Sequence, residues 1–248
     1  VTNTSVYHPD FYKEVYYFDK PAQGGEKIDL WVEGAANNIL GPQIFNWNPH
    51  PDRAPYPHGH SVGQVKYMRL ALYREELFHF RLEFKNLYFY AKYYLHADVG
   101  SCRCRQIVQA LSDALDAYCG NPDNAAAARA ALKPILSQPA TASALKCTAI
   151  GHAHIDVGWL WPVRESVRKA ARTFCSQLKL MERYPEHRFG ESQPQLYQFI
   201  KDFYPGLYKR IQKAVKDGKW ECQGGMWVEA DNNLPSGESL IRQFLHGK

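Results

Sequence analysis

The chain has no run of about 18 uninterrupted apolar residues, so no membrane-spanning helix is expected. It has no block of like charge either. Its 30 basic and 25 acidic residues are mixed along 248 positions and leave a net charge of +5. That excludes the electrostatic footprint of a nucleic-acid or membrane-surface binder. A paired cysteine framework is also missing. The six cysteines stand at positions 102, 104, 119, 147, 175 and 222 without regular spacing, and Cys102-Arg103-Cys104 is too tight for the usual zinc pattern. Free thiols acting as small apolar side chains are expected, with Cys147 and Cys222 in buried strands and Cys175 on a helix, which suits a reducing compartment. No signal peptide opens the chain. It starts at Val1, not Met, so it is expected to be a processed or cut piece, and the missing leader carries no weight on secretion.

What is present is globular. An apolar share of 45% and a charged share of 22% suit one large domain or two small ones. Sixteen Tyr, twelve Phe and six Trp suit a thick core or sugar-stacking surfaces.

Residues 1–64 are rich in Pro, Gly, Asn and His, with short extended runs such as Lys27–Val32, and read as the end of a β-like domain. Asn3-Thr4-Ser5 has sequon spacing. His50, His58 and His60 fall among turn formers and read as loop histidines. Residues 65–144 read as a helical segment. Leu77, Phe80, Phe84, Leu87, Tyr88 and Ala91 follow i, i+3, i+4, i+7 spacing. A second helix carries Ile107, Leu111, Leu115 and Tyr118, and an Ala-rich third runs from Ala125 to about Leu136. Gln138–Ser143 reads as a linker.

From residue 145 the pattern becomes strand, helix, strand, helix, strand. Strands are expected at Cys147–Ile150, Arg188–Ser192 and Lys219–Gln223. The first helix carries Pro162 in its first turn and runs to about Tyr184, where Tyr184-Pro185 stops it, with Val163, Val167, Ala170, Phe174, Leu178 and Met181 on one face. The next is interrupted at Pro205 and ends at Gly218, and Ser236 caps a last one. This is the signature of a parallel α/β sheet with right-handed crossovers, in which ligands bind beyond the carboxyl ends of the strands. Residues 145–248 are thus expected to be the first part of an α/β catalytic domain.

The first strand leads into Gly151-His152-Ala153-His154-Ile155-Asp156-Val157-Gly158-Trp159. In extended backbone His154 and Asp156, two apart, face the same way and could grip one ion. His152 reads as an orienting neighbour. After the third strand comes Gly224-Gly225-Met226-Trp227-Val228-Glu229-Ala230-Asp231, whose glycines allow close backbone approach. Asp231 therefore opens onto the same edge as His154 and Asp156. Trp159 and Trp227 flank these polar groups, where an indole can stack on a sugar ring; for Trp161 packing is the stronger reading.

The nine-residue stretch from Gly151 resembles the first zinc-site motif of the class II α-mannosidases, glycoside hydrolase family 38. The segment Gly224–Asp231, with Asn233-Leu234-Pro235-Ser236-Gly237-Glu238-Ser239 after it, resembles the nucleophile segment of the cytosolic and vacuolar branch. The resemblance covers about residues 146–248. It implies a parallel α/β, barrel-like catalytic domain in which His154, Asp156 and Asp231 are zinc ligands, cobalt being admissible. It implies that Asp231 is also the catalytic nucleophile and Trp159 a substrate-binding platform. The implied reaction is retaining hydrolysis of terminal α-mannosides in oligosaccharides, in the cytoplasm or alternatively the vacuole, with homo-oligomers left open. The remaining metal-binding His and the general acid/base are expected outside this chain.

Three rivals stand beside it. A metal-dependent amidohydrolase would share His-x-His-x-Asp but not the segment ending in Asp231, and a metallo-β-lactamase-like site would want a His where Val157 stands. A non-catalytic sugar-binding module on the aromatic N-terminal half has no defined site to support it.

Overall fold

The computed structural model describes residues 21–29, 69–94, 102–140, 144–158 and 162–248. One compact unit spans Lys66–Cys147, and among the described residues the regular structure of the other lies within Thr148–Lys248. The expected β-like piece falls outside the described residues except for 21–29, an exposed stretch in which Glu26 accepts the Gly24 N–H at 2.8 Å. No helix among the described residues is long and apolar enough to cross a membrane.

The helical unit contains α1 (Glu75–Phe89), continued by a π-helical turn Tyr90–Tyr94, then α2 (Cys102–Tyr118) and α3 (Ala125–Leu136). Helices α2 and α3 are separated by a reversal at Cys119 and Gly120, both in left-handed backbone (φ 47° and 67°). Phe80, Leu87, Ile107, Leu111, Leu132 and Ile135 form its core. Ala114 and Ala128, both fully buried, leave little side chain between the helices. Two expectations are corrected here. Leu115 is 51% exposed and Tyr88 44%. On α2 the buried row runs Cys104, Ile107, Leu111, Ala114, and Leu115 lies one residue round the helix from it, toward water. The small Ala, not the large Leu, takes the inward position.

In the second unit the strands are β1 (Gly151–His152), β2 (Phe189–Glu191) and β3 (Trp220–Cys222), parallel and in sequential order. Gly151 aligns with Phe189, which aligns with Trp220. Between and after them run α4 (Val163–Arg183), α5 (Pro194–Phe203), α6 (Pro205–Lys216) and α7 (Gly237–Gly247). Each boundary has a local cause. Pro162 precedes α4, Pro205 separates α5 from α6, and Gly218 (φ 67°) ends the turn into β3. The Ser236 side chain accepts the Ser239 N–H at 3.2 Å and caps α7.

The first strand differs from expectation. Cys147–Ile150 is irregular and exposed, and pairing starts only at Gly151, whose N–H donates to the Arg188 carbonyl at 2.9 Å. The apolar run precedes the sheet rather than forming it. Cys147 and Cys222 are exposed, not buried; Cys222 ends a strand on which only Trp220 is buried. Val163, expected on the inner face of α4, is half exposed.

The core of this unit is aromatic. Phe174, fully buried on α4, meets Trp220 edge-on with centroids 5.0 Å apart, and Phe189 meets the same indole at 4.7 Å. Phe174→Ala is expected to cost about 3–5 kcal/mol, and Leu115→Ala to stay within about 0.5 kcal/mol. Urea denaturation of the two variants checks this; equal losses would contradict the placement of both residues.

Candidate active site

Three parallel strands present their carboxyl ends at one edge, and the candidate residues follow those ends. Beyond β1 the burial alternates. Ala153 and Val157 pack against the core and Ile155 is buried within it, while His152 and His154 are exposed and Asp156 partly so. The extended period of two therefore puts the polar residues on one face, as the spacing predicts. The turn into α4 is closed by buried Ser166, whose hydroxyl donates to the Asp156 carbonyl at 2.9 Å and accepts the Gly158 N–H at 3.1 Å.

His154 lies between two carboxylates. Its Nε2 is 2.9 Å from Asp156 Oδ1, and its Nδ1 bonds Glu229 Oε2. The bonds to Glu229 and then to Asp156 raise the His154 pKa above its ordinary value. Glu229 is fixed in turn by the Ser192 hydroxyl, which donates to Oε1. Burial pushes the Glu229 carboxyl up, but the bonds from Ser192 and His154 outweigh it and hold the group below its ordinary value. His152 uses Nδ1 to bond the Gly190 carbonyl of β2 at 3.0 Å, an anchoring role; its Nε2 stands 3.6 Å from Glu229 Oε1.

The loop after β3 is held just as closely. Gly224 has φ +88°, and a Cβ there would lie 2.4 Å from the Ser192 carbonyl oxygen, so only glycine fits. The Trp227 N–H donates to the Gln243 carbonyl on α7 at 2.9 Å, and its indole donates to Gln195 Oε1 on α5 at 2.9 Å. The Glu229 N–H donates to Gln193 Oε1 at 3.1 Å. Beyond these bonds the loop is less constrained. Asp231 is exposed and its Oδ1 accepts the Asn233 N–H at 2.8 Å, a side-chain-closed turn.

Of the residues singled out in the sequence, His154 and Asp156 are thus brought together. Asp231 follows β3 to the same edge and caps its own turn. Trp159 and Trp161 lie outside the described residues. Among the described residues, no three His, Cys, Asp or Glu side chains are grouped as a ready-made metal site. The geometry around His154 explains why the nearest three are not one. Asp156 and Glu229 flank opposite nitrogens, so a single ion cannot take the ring and both carboxylates.

The sequence singles out neither Ser192 nor Gln193, and it assigns Glu229 no role. Gln193 is 1% exposed and its Nε2 donates to the Ile155 carbonyl at 3.0 Å. The available signal is the polar triplet Glu191-Ser192-Gln193 at the very end of the central strand, where a buried strand has little other reason to turn polar.

Residues 144–248 match the glycosyl hydrolases family 38 N-terminal domain. Across the chain, alpha-mannosidase G of Dictyostelium discoideum is 34% identical over 247 residues, covering 95% of this chain and 21% of the relative. Alpha-mannosidase 2C1 of Homo sapiens is 54% identical over 100 residues, 40% of this chain and 10% of the relative. An alpha-mannosidase of Saccharomyces cerevisiae is 42% identical over 100 residues, 40% of this chain and 9% of the relative. The chain thus spans about a fifth of the Dictyostelium relative's length and less of the other two.

Beneath these groups lies Glu191, fully buried. Its Oε1 accepts the Ser192 N–H at 3.0 Å and its Oε2 has no partner. Burial raises its pKa from 4.5 to about 7. Between those values the folded chain keeps a proton that the unfolded chain has released. The associated stabilisation is complete below pH 4.5 and is lost as pH rises through about 7. Glu191→Gln should remove this dependence, whereas the parent loses about 3 kcal/mol between pH 4.5 and 8. Denaturation midpoints across that range check it, and parallel curves for the two proteins would contradict it.

Proposed function

We propose that the protein of which this chain is a part hydrolyses terminal non-reducing α-D-mannosides in oligosaccharides, with retention of configuration. The observation that carries the reading is the His154–Asp156 pair, 2.9 Å apart at the carboxyl edge of a parallel sheet, in a segment that matches the family 38 N-terminal domain. The names of the relatives supply the substrate class.

For zinc, with cobalt as the alternative, the donor chemistry fits. Imidazole nitrogen and carboxylate oxygen are its ordinary ligands, and several divalent ions accept the same set. His154 and Asp156 would hold the ion, joined by Asp231 once its carboxylate leaves the Asn233 N–H. When bound, the ion supplies a positive anchor for two vicinal hydroxyls of the mannose.

Two further roles fall to this chain's own groups. Asp231 is the proposed nucleophile. Its carboxylate oxygen forms a bond to the anomeric carbon as the glycosidic C–O bond breaks, and water later releases the sugar from the ester. Retention needs a second carboxyl about 5 Å away to protonate the leaving oxygen, and no carboxyl of this chain is assigned to that role. Trp159 is the proposed stacking surface for the sugar. The hydrogen bonds that pin Trp227, Val228 and Glu229 to α5, α7 and Gln193 limit how far Asp231 can wander. Positioning of this kind is worth up to about 7–11 kcal/mol of barrier. The proposed location is the cytoplasm, with the vacuole as the alternative, on the likeness of residues 224–239 to that branch.

In the full-length protein, Asp231→Ala should lower turnover of an aryl α-mannoside by about 1000-fold or more. Full activity in that variant would refute the nucleophile assignment. His154→Ala should lose its zinc or cobalt on metal analysis. Undiminished metal content would remove His154 from the site.

A further inference from the structure

We propose that Glu229 is a positioning residue that selects which nitrogen of His154 can take a metal ion. Its carboxylate holds a proton on Nδ1 and leaves the Nε2 lone pair to the ion, on the Asp156 side. The inference rests on the metal-binding reading of His154 and Asp156 and deepens it.

The imidazole nitrogens point in different directions, and the ring can give a lone pair at one only when the other carries the proton or is otherwise satisfied. Each nitrogen of His154 faces a carboxylate, so the structure poses a choice. Three observations decide it.

Glu229 is the fixed partner. Both of its carboxylate oxygens are engaged, Oε2 by His154 and Oε1 by the Ser192 hydroxyl. Its N–H is held by Gln193 Oε1 at 3.1 Å, and that buried amide is itself bonded to the Ile155 carbonyl next to His154. The Nδ1 side is also the crowded side, because His152 Nε2 approaches Glu229 Oε1 to 3.6 Å. The Nε2 side faces Asp156, whose side chain is 42% exposed against 33% for Glu229. An ion arriving from solvent meets Nε2 and Asp156 first, and these donors sit two residues apart on one extended face and need no rearrangement of the strand ends. Glu229 is therefore neither the third ligand nor the missing acid. It is the carboxylate of a carboxylate–histidine–metal arrangement, supplied from the β3 loop to a ligand on the β1 loop.

The test uses the full-length protein stripped of metal. Zinc affinity is measured by chelator competition for the parent, Glu229→Ala, Glu229→Gln and His154→Ala, and the visible spectrum of the cobalt-loaded forms is recorded. Glu229→Ala should bind zinc about 10–100-fold more weakly and change the cobalt spectrum, with unaltered far-ultraviolet circular dichroism. Glu229→Gln keeps an oxygen that can accept the Nδ1 proton and should recover most of the affinity. The inference is overturned if Glu229→Ala binds zinc and colours cobalt like the parent, or if Glu229→Gln is no better than Glu229→Ala. If His154→Ala binds zinc as tightly as the parent, the metal reading itself fails, a result separate from the other two.

Discussion

The site depends on one buried amide. Gln193, at the end of the central strand, reaches the loop after β1 through Nε2 and the loop after β3 through Oε1. One side chain thereby ties three strand ends together. Both of its bonds go to backbone groups, so it sets where the loops run without dictating what they carry. Being 1% exposed, it cannot exchange these partners for water, and leaving either one unsatisfied costs about 1–3 kcal/mol.

Everything polar above the clamp is arranged from it outward. Ser192, next in the chain, fixes Glu229, and Glu229 fixes His154. His152 adds a strut to Gly190. Exposure increases along this path, from fully buried Glu191 through partly exposed Glu229 to exposed Asp231. That gradient suits the proposed nucleophile, which must meet a substrate from a supported loop. Glu191 sits at the buried end with an unpartnered oxygen, and its raised pKa predicts a frame whose stability falls as pH rises.

Much of the α/β unit was legible because its punctuation is local. Pro162, Pro205, Gly218 and Ser236 act through their own backbone chemistry, and each stands at the boundary that it marks. The first strand starts later than the apolar run suggests, because a strand is defined by its pairing and Cys147–Ile150 is neither paired nor buried. Cys147–Ile150 is apolar, yet the Arg188 carbonyl waits for Gly151. Leu115 was misjudged by one residue, enough on a helix to turn a side chain from core to water. In the site, the His154–Asp156 pair could be read from an i, i+2 spacing. The role of Glu229 could not, because its contact with His154 spans 75 positions and is set by Ser192 and Gln193, whose own partners are backbone atoms elsewhere. Trp159, prominent in the sequence, lies outside the described residues.

The central claim is that the frame delivers Asp231 to an anomeric carbon. Trapping the full-length protein with a fluorinated mannosyl reagent, followed by proteolysis and mass spectrometry, tests it most directly. The account predicts one mannosyl ester, on the peptide carrying Asp231. A label on another carboxylate, with Asp231 unmodified, would contradict it.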